Sequence, residues 1–576
     1  MYHDSPTIVN IDANAARSRR QWDHAAMTTT TTNSAYARFD EDPISPALRA
    51  KLLWTLLPPL WLAYMLLIID RSNFAVAQLG GPNNTAPHGM AQPISAGGLG
   101  LSSTSYGLAA GIFFGGYALM QVPSNQLLLR FGARRVLGSC TLCSGVLSAC
   151  TAFAEDEATL YVLRVLLGLA EAGFFPGCIL YISLWLPDRL TSTASAAFTT
   201  AVVAGTFVGN ISSGWLMTSL DGVAGVVGWR WLFVCQGVPT VLLGLLLLRV
   251  VTDTPHDASW LSPLERDALL RAFEQDAVAA ASGAPAGAAG AAAATVTTVT
   301  AAAATTTATT AAAAAIVSSP PLPPPPPPLP PLPPLPPLLP ALRGVARRPR
   351  TWVLSAQYFV GATLAYLNMF FLPRIVREVL PPATPLWLVG AAASAPSLLT
   401  LAAAPLCAAA LERLPCGTPR SRRFAWAWGT HALAVLLLLG GGATLLAAAA
   451  RTAAARRGAA VAMVLQLMLA QLCGGVGVGP FWALHHAAVA EGEGRHISIA
   501  IVNCVGNLGG FVGPFVLGWL HDALGPRCPV GTSHECVSEW GWGAVVLASS
   551  LLLCTVATAV GVRLTGIARV TSNTCF

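Results

Sequence analysis

The chain has 576 residues, of which 54% are hydrophobic and only 10% charged, a balance that excludes a soluble globular domain and fits one large helical bundle in a membrane. Its formal net charge of +7 falls mainly between apolar runs, where it accounts for orientation in the bilayer better than for nucleic-acid binding. Thirteen cysteines show no metal-ligand spacing, since Cys140 and Cys143 lie in an apolar run without the second pair that zinc requires, so neither a metal nor another cofactor is expected.

Residues 1–50 are polar and lack an apolar signal core; Arg17, Arg19 and Arg20 are balanced by Asp4, Asp12, Asp23, Asp40, Glu41 and Asp42, which reads as a cytosolic tail. Apolar runs of spanning length follow at roughly 52–79, 104–129, 136–154, 158–186, 193–220 and 229–250, then at 351–373, 386–411, 424–449, 458–490, 497–520 and 541–562. They predict an all-α polytopic fold of twelve transmembrane helices in two six-helix halves, residues 51–250 and 351–563, with a second cytosolic tail at 564–576. The linker between them, residues 251–350, opens with WLSPLERDALLRAFEQD, which reads as a polar helix, and continues as Ala/Thr low complexity. It ends in the run Pro320–Pro340, expected as a polyproline II rod that serves as a spacer or docks an SH3-type or WW-type domain.

Arginine placement orients the bundle with both termini inside. That choice puts Arg130, Arg134, Arg135, Arg189, Arg343, Arg347, Arg348, Arg350, Arg413, Arg420, Arg422 and Arg423 in cytosolic loops, and only Arg451, Arg456 and Arg457 break the pattern. The sequon Asn83-Asn84-Thr85 and the pair Cys528 and Cys536 then face outside, the cysteines as a disulfide or as free thiols. The halves also repeat: Gly205, Gly209, Gly214, Trp215 and Leu216 recur at identical spacing as Gly509, Gly513, Gly518, Trp519 and Leu520. Glycines four apart let helices approach closely, and tight packing is the reading preferred for them.

A few charges stand inside the apolar runs. In RVLLGLAEAGFFPGCILYISLWLP, Arg164 and Glu171 lie seven residues apart, which at about 100° per residue returns both to nearly one helix face. An ionised group facing lipid costs at least a few kcal/mol, so both should face a bundle interior, as part of a solute path or as a buried packing pair. Gly173, Pro176 and Gly177 weaken the helix beside them, and broken helices at membrane depth usually adjoin a site. Asp70-Arg71-Ser72-Asn73 lies inside the membrane if the first helix continues to Leu79, and at the interface if it ends at Asp70. Gln121 and Asn125 beside Pro123, Tyr366 with Asn368, and Asn503 with Asn507 add neutral polar groups that serve as ligands or as helix-bonding residues. His485 and His486 read as a structural pair.

Taken together, DRSN in the first helix, GYALMQVPSNQLLLRFGARR across the second, RVLLGLAEAGFFPG in the fourth, GWRWLF opening the sixth and NCVGNLGGFVGPFVLGWL in the eleventh resemble the anion:cation symporter branch of the major facilitator superfamily, which includes tartrate, phthalate, galactonate and allantoate permeases and sialin-type transporters. The resemblance covers both membrane halves and neither the tail nor the linker. It implies secondary active transport of small organic carboxylates by alternating access, coupled to protons or, alternatively, to sodium; the plasma membrane is the expected location rather than an organelle. By position it implies Asp70 and Glu171 as proton-linked carboxylates, Arg71 and Arg164 as substrate-facing arginines, and Asn503 as a polar group lining the C-terminal side of the cavity; Gln121 and Tyr366 are further candidates. Two departures from the branch are His485 at a usual proline and Glu412-Arg413 at a usual Asp-Arg pair. On this reading protonation of Asp70 frees Arg71 for the anion while Glu171 exchanges with Arg164. A multipass enzyme would need a nucleophile or metal cluster near the interface, which the sequence lacks; a transporter-like sensor or scaffold signalling through the polyproline run is the alternative.

Overall fold

An unpaired amide in hydrocarbon is costly, so an apolar run of spanning length has to resolve into helix. A computed structural model describes residues 44–81, 87–281, 338–413, 419–448, 452–489, 495–524 and 539–565, and within these residues every predicted run is mainly helical. The first half comprises α1 (Pro46–Ala77), α2 (Ser103–Phe131), α3 (Ala133–Thr151), α4 (Glu157–Glu171) followed by α5 (Phe174–Trp185), α6 (Asp188–Leu220) and α7 (Gly228–Val250). Two helices, α8 (Pro263–Ala281) and α9 (Leu338–Ala346), belong to the linker. The second half comprises α10 (Pro349–Val379), α11 (Leu386–Arg413), α12 (Pro419–Ala448), α13 (Ala453–Val489), α14 (Arg495–Asn507) followed by α15 (Gly509–Leu524), and α16 (Glu539–Leu564). Counting α4 with α5, and α14 with α15, as single interrupted spans gives six per half. Among the described residues ten spans are long and apolar enough by themselves; α2 and α3 complete the twelve. In α3 a row of hydroxyls turns inward, with Thr141, Ser144 and Thr151 each donating to the carbonyl one turn back.

Two compact units are distinguished. The smaller lies within Met1–Leu53 and Ser259–Ala293. There Glu265 Oε2 accepts from the Ser262 amide at 2.8 Å, and the Ser262 hydroxyl accepts in return from the Glu265 amide at 3.3 Å, a capping box that starts α8. Lys51 Nζ donates to the same carboxylate at 2.7 Å, and this ammonium, then the Ser262 amide, holds the Glu265 carboxyl below its usual range. The larger unit, within Trp54–Ala258 and Ala294–Phe576, contains α1 from Trp54 onward and the other spanning helices. The N-terminal tail to residue 43, the sequon, Cys528 and Cys536, Arg451 and the linker from 282 to 337 lie outside the described residues. The proline run is described only at its last three residues, which open α9 and so are not polyproline II there.

The glycine repeat is built as a duplication. A Cβ at Gly205 or Gly209 would strike α1 near Ile68 and Ser72, and one at Gly509 or Gly513 would strike α10 at Phe359 and Thr363. Gly214 abuts the backbone of Leu386 at the start of α11, and its counterpart Gly518 abuts the carbonyl of Ser103 at the start of α2. Each glycine helix therefore packs on the first helix of its own half and on the second helix of the other. Trp215 and Trp519 occupy matching exposed positions.

Within the first half, α2 and α4 meet through reciprocal glycines: a Cβ at Gly168 would fall on the Phe113 carbonyl oxygen, and one at Gly116 on that of Val165. This contact fixes the depth at which Arg164 and Glu171 face α1. Gly168→Val should cost about 1–3 kcal/mol through overpacking, read as a lower midpoint in thermal unfolding of detergent-purified protein; an unchanged midpoint would show that α4 has room to move.

The halves meet at the end that arginine placement assigns to the outside. Asp522 Oδ2 accepts from the amide and the hydroxyl of Thr104, each at 2.7 Å. Ser103 Oγ is bonded to His521 Nδ1 at 3.0 Å and accepts from Arg374 Nη1 at 3.2 Å. Deeper, Gln78 Nε2 and Tyr106 Oη both donate to the Phe370 carbonyl, at 3.0 and 3.1 Å, and Asn210 Nδ2 donates to Ser394 Oγ at 2.7 Å. Stacked Phe74 and Tyr106 rings with Phe370 and Phe371 fill the space between these bonds. Removing the Asp522 acceptor should loosen this closure. In an Asp522→Ala background, Ala110→Cys should react with a membrane-impermeant maleimide applied from outside about threefold to tenfold faster than Ala110→Cys alone; equal rates would mean the latch is not limiting.

Candidate functional site

Helix α1 continues past Asp70 to Ala77, so all of Asp70-Arg71-Ser72-Asn73 lies inside the span, and all four are at most 4% exposed. Successive helical residues point about 100° apart, which sends the two opposite charges to different neighbours. Asp70 turns to the hydroxyl row of α3 and to α7: Ser148 Oγ donates to Oδ1 at 2.8 Å and Thr240 Oγ1 to Oδ2 at 3.2 Å. Arg71 turns to α4, where its Nε donates to Glu171 Oε2 at 2.5 Å. Its guanidinium lies 5.1 Å from the Phe113 ring and 5.0 Å from that of Tyr117, both on α2.

Arg164 and Glu171 share the buried stripe of α4 with Leu160, Leu167 and Gly168. The Arg164 guanidinium is 4.1 Å from the Phe74 ring, and its Nε donates to the Ala109 carbonyl at 3.3 Å. Among the described residues its Nη1 and Nη2 have no hydrogen-bond partner, and neither has Glu171 Oε1. Helix α4 ends at Glu171, and a turn at Ala172 and Gly173 precedes α5. Pro176 has no amide hydrogen to give the Ala172 carbonyl, which is why the ladder breaks here.

The pairing differs from the one the sequence suggests. Arg71 is bonded to Glu171, whereas Asp70 does not compete for it and Arg164 makes no ion pair with Glu171 among the described contacts. A 100° step between neighbours is enough to separate Asp70 from Arg71, and Arg164 lies two turns along α4 with aromatic rings against its guanidinium.

Across from this pair the second half contributes neutral groups. Tyr366 Oη donates to Asn507 Oδ1 at 3.1 Å, and Asn507 Nδ2 donates to Asn503 Oδ1 at 3.1 Å, while the Tyr366 ring sits 4.2 Å from that of Phe114. Tyr366 and Asn503 are thus joined through Asn507. Gln121 on α2 and Asn73 on α1 are buried, and among the described residues both side-chain polar atoms of each are without a hydrogen-bond partner. Asn368 donates to the Leu364 carbonyl in its own helix at 3.0 Å. His485 is buried beside Trp482 and bonded to Ser498 Oγ at 3.4 Å. The side chains of Asn125, His486 and Glu412 are outside the described residues. Sequence reasoning passed over Ser148, Thr240, Phe113 and Tyr117, and also Gln357 and His431, which line a cavity in the second half.

The model of the family described as Major Facilitator Superfamily matches residues 60–465, so the chain belongs to the major facilitator superfamily and is a multi-pass membrane transporter. A protein of Agrobacterium vitis named "Putative tartrate transporter" is 29% identical to it over 479 residues, covering 82% of this chain and 85% of that protein. The "Inner membrane transport protein RhmT" of Escherichia coli strain K12 is 37% identical over 215 residues, 37% of this chain and 47% of that one. Among solved structures, a bacterial homologue of the human lysosomal transporter Spinster, 18% identical, aligns with a TM-score of 0.56 over 90% of this chain and 98% of its own; that likeness concerns the fold.

Proposed function

We propose that the protein is a secondary active transporter of small organic carboxylates, in the anion:cation symporter branch, that couples their movement to protons by alternating access. The observation that carries this reading is the buried Arg71–Glu171 pair, whose second carboxylate oxygen has no hydrogen-bond partner among the described residues. Protonating Glu171 removes the countercharge, and Arg71 can then present its planar fork to a substrate carboxylate; losing the proton restores the pair and displaces the anion. Arg164, with two unpartnered nitrogens, supplies a second cationic contact, and Tyr366, Asn503 and Gln121 supply neutral ones. Asp70 is a second proton site, because the hydroxyls of Ser148 and Thr240 that donate to its carboxylate can accept from its acid form. A guanidinium beside Glu171 disfavours a bound metal cation there, which favours protons over sodium. The name of the Agrobacterium vitis relative supports a carboxylate substrate, and that of the Escherichia coli relative supports the plasma membrane.

The test is uptake by the full-length chain in proteoliposomes against a panel of mono- and dicarboxylates, with and without an imposed pH gradient. At least one acid should accumulate against its gradient when the pH gradient is applied. Failure to move any carboxylate, or accumulation that follows sodium and ignores pH, would overturn the proposal.

A further inference from the structure

At the end of the second half that arginine placement assigns to the cytosol, five arginines stand exposed: Arg343 in α9, Arg347 and Arg348 in the turn that follows, Arg350 in the first turn of α10 and Arg563 in the last turn of α16. The fold holds them together. The Arg347 amide donates to the Arg343 carbonyl at 3.1 Å, which keeps these two side chains one turn apart on one face. The turn is clasped to α10, since Thr351 Oγ1 donates to the Val345 carbonyl at 3.1 Å and Trp352 Nε1 to that of Ala346 at 2.7 Å. Arg350 Nε donates to the Thr565 carbonyl at 3.0 Å, which joins the patch to the end of α16 beside Arg563. Among the described residues none of the five forms an ion pair. The sequence places no acidic residue in α9, in α10 before Glu378 or in α16 after Glu539. Topology alone asks for basic residues at this end, and elsewhere such residues are used up by the protein: Arg134 turns its guanidinium onto the carbonyls of Leu248 and Arg249, and Lys51 its ammonium onto Glu265.

We propose that this patch binds the phosphate headgroup of an anionic phospholipid in the cytosolic leaflet. A phosphodiester presents two anionic oxygens that match the fork of a guanidinium, and arginines at the cytosolic ends of spanning helices stand where that leaflet carries its negative charge. Trp352 favours a lipid over a soluble phosphate: its ring is 50% exposed while its N–H is bonded to the Ala346 carbonyl, an arrangement suited to the boundary between headgroups and acyl chains. A headgroup held there bridges α9, α10 and α16, the first and last spans of the second half among them. The inference rests on the orientation of the bundle and is independent of what the protein carries.

The experiment is native mass spectrometry of the detergent-purified full-length chain with phosphatidylglycerol and phosphatidylcholine of matched acyl chains, added singly and together. Phosphatidylglycerol should bind at least about tenfold tighter than phosphatidylcholine. Arg343→Gln, Arg347→Gln and Arg348→Gln combined should weaken phosphatidylglycerol about tenfold and leave phosphatidylcholine within about twofold. Arg130→Gln, Arg135→Gln and Arg249→Gln combined, on exposed residues of the first half, remove the same charge and should keep the preference. Glycerophosphoglycerol, the same headgroup without acyl chains, should not displace the lipid at equal concentration. Wild-type protein that binds the two lipids equally overturns the proposal without recourse to any variant. A preference that survives the second-half triple variant, or that both triple variants lose equally, overturns it as well, the latter by showing a response to overall charge. Displacement by glycerophosphoglycerol overturns it in favour of a soluble phosphate.

Discussion

Arg71→Gln should lower carboxylate uptake at least about a hundredfold, and Arg71→Lys should not restore it, because an ammonium cannot reproduce the planar, two-point grip of a guanidinium. Two consequences of the substitution must be separated. Arg71 is the one group bonded to Glu171 Oε2 among the described residues, and removing one member of a buried ion pair typically costs about 3–5 kcal/mol through the charge left behind. Part of any lost uptake would then reflect poorer folding. The double variant Arg71→Gln with Glu171→Gln leaves no buried charge at this position and should recover most of the thermal stability while remaining inactive. Recovery of uptake together with stability would make Arg71 a packing residue and remove the basis for an anion site here.

Glu171→Gln alone should uncouple the transporter. A glutamine carries the neutral charge of the protonated acid, so Arg71 stays available to an anion at every pH. Exchange of labelled for unlabelled substrate across the vesicle should continue at a rate within about tenfold of the parent, whereas a pH gradient should no longer drive accumulation. The sign is specific: in the parent, acidifying the side from which substrate binds should strengthen binding, and in the variant that dependence should flatten. If accumulation still follows the pH gradient, the proton is carried elsewhere, and Asp70→Asn becomes the next variant to measure.

How much of this was legible in the sequence differs between levels for physical reasons. Spans of apolar residues must be helical in hydrocarbon, so the twelve helices were readable, as was the break after Glu171 from Gly173 and Pro176. That Arg164 and Glu171 share a face follows from helical period alone, and both are buried. The partner of each charge was not readable, because it depends on which helix packs against which. Arg71 and Asp70 look like a pair in the sequence and diverge in space. Phe113 and Tyr117, which lie against the Arg71 guanidinium, resemble lipid-facing residues until α2 is seen against α4. Gln357 and His431 were overlooked because single polar residues in apolar runs ordinarily bond between helices, and Gln357 does so through one of its two polar ends.

The matched contacts of Gly214 and Gly518 restrict how such a molecule can move. Both bring main chain against main chain with no side chain between them, so each behaves as a smooth bearing, and the duplication supplies a twin for it on the other half. If the halves rock as proposed above, rotation about one of these contacts alone would shear its twin, so both have to turn together.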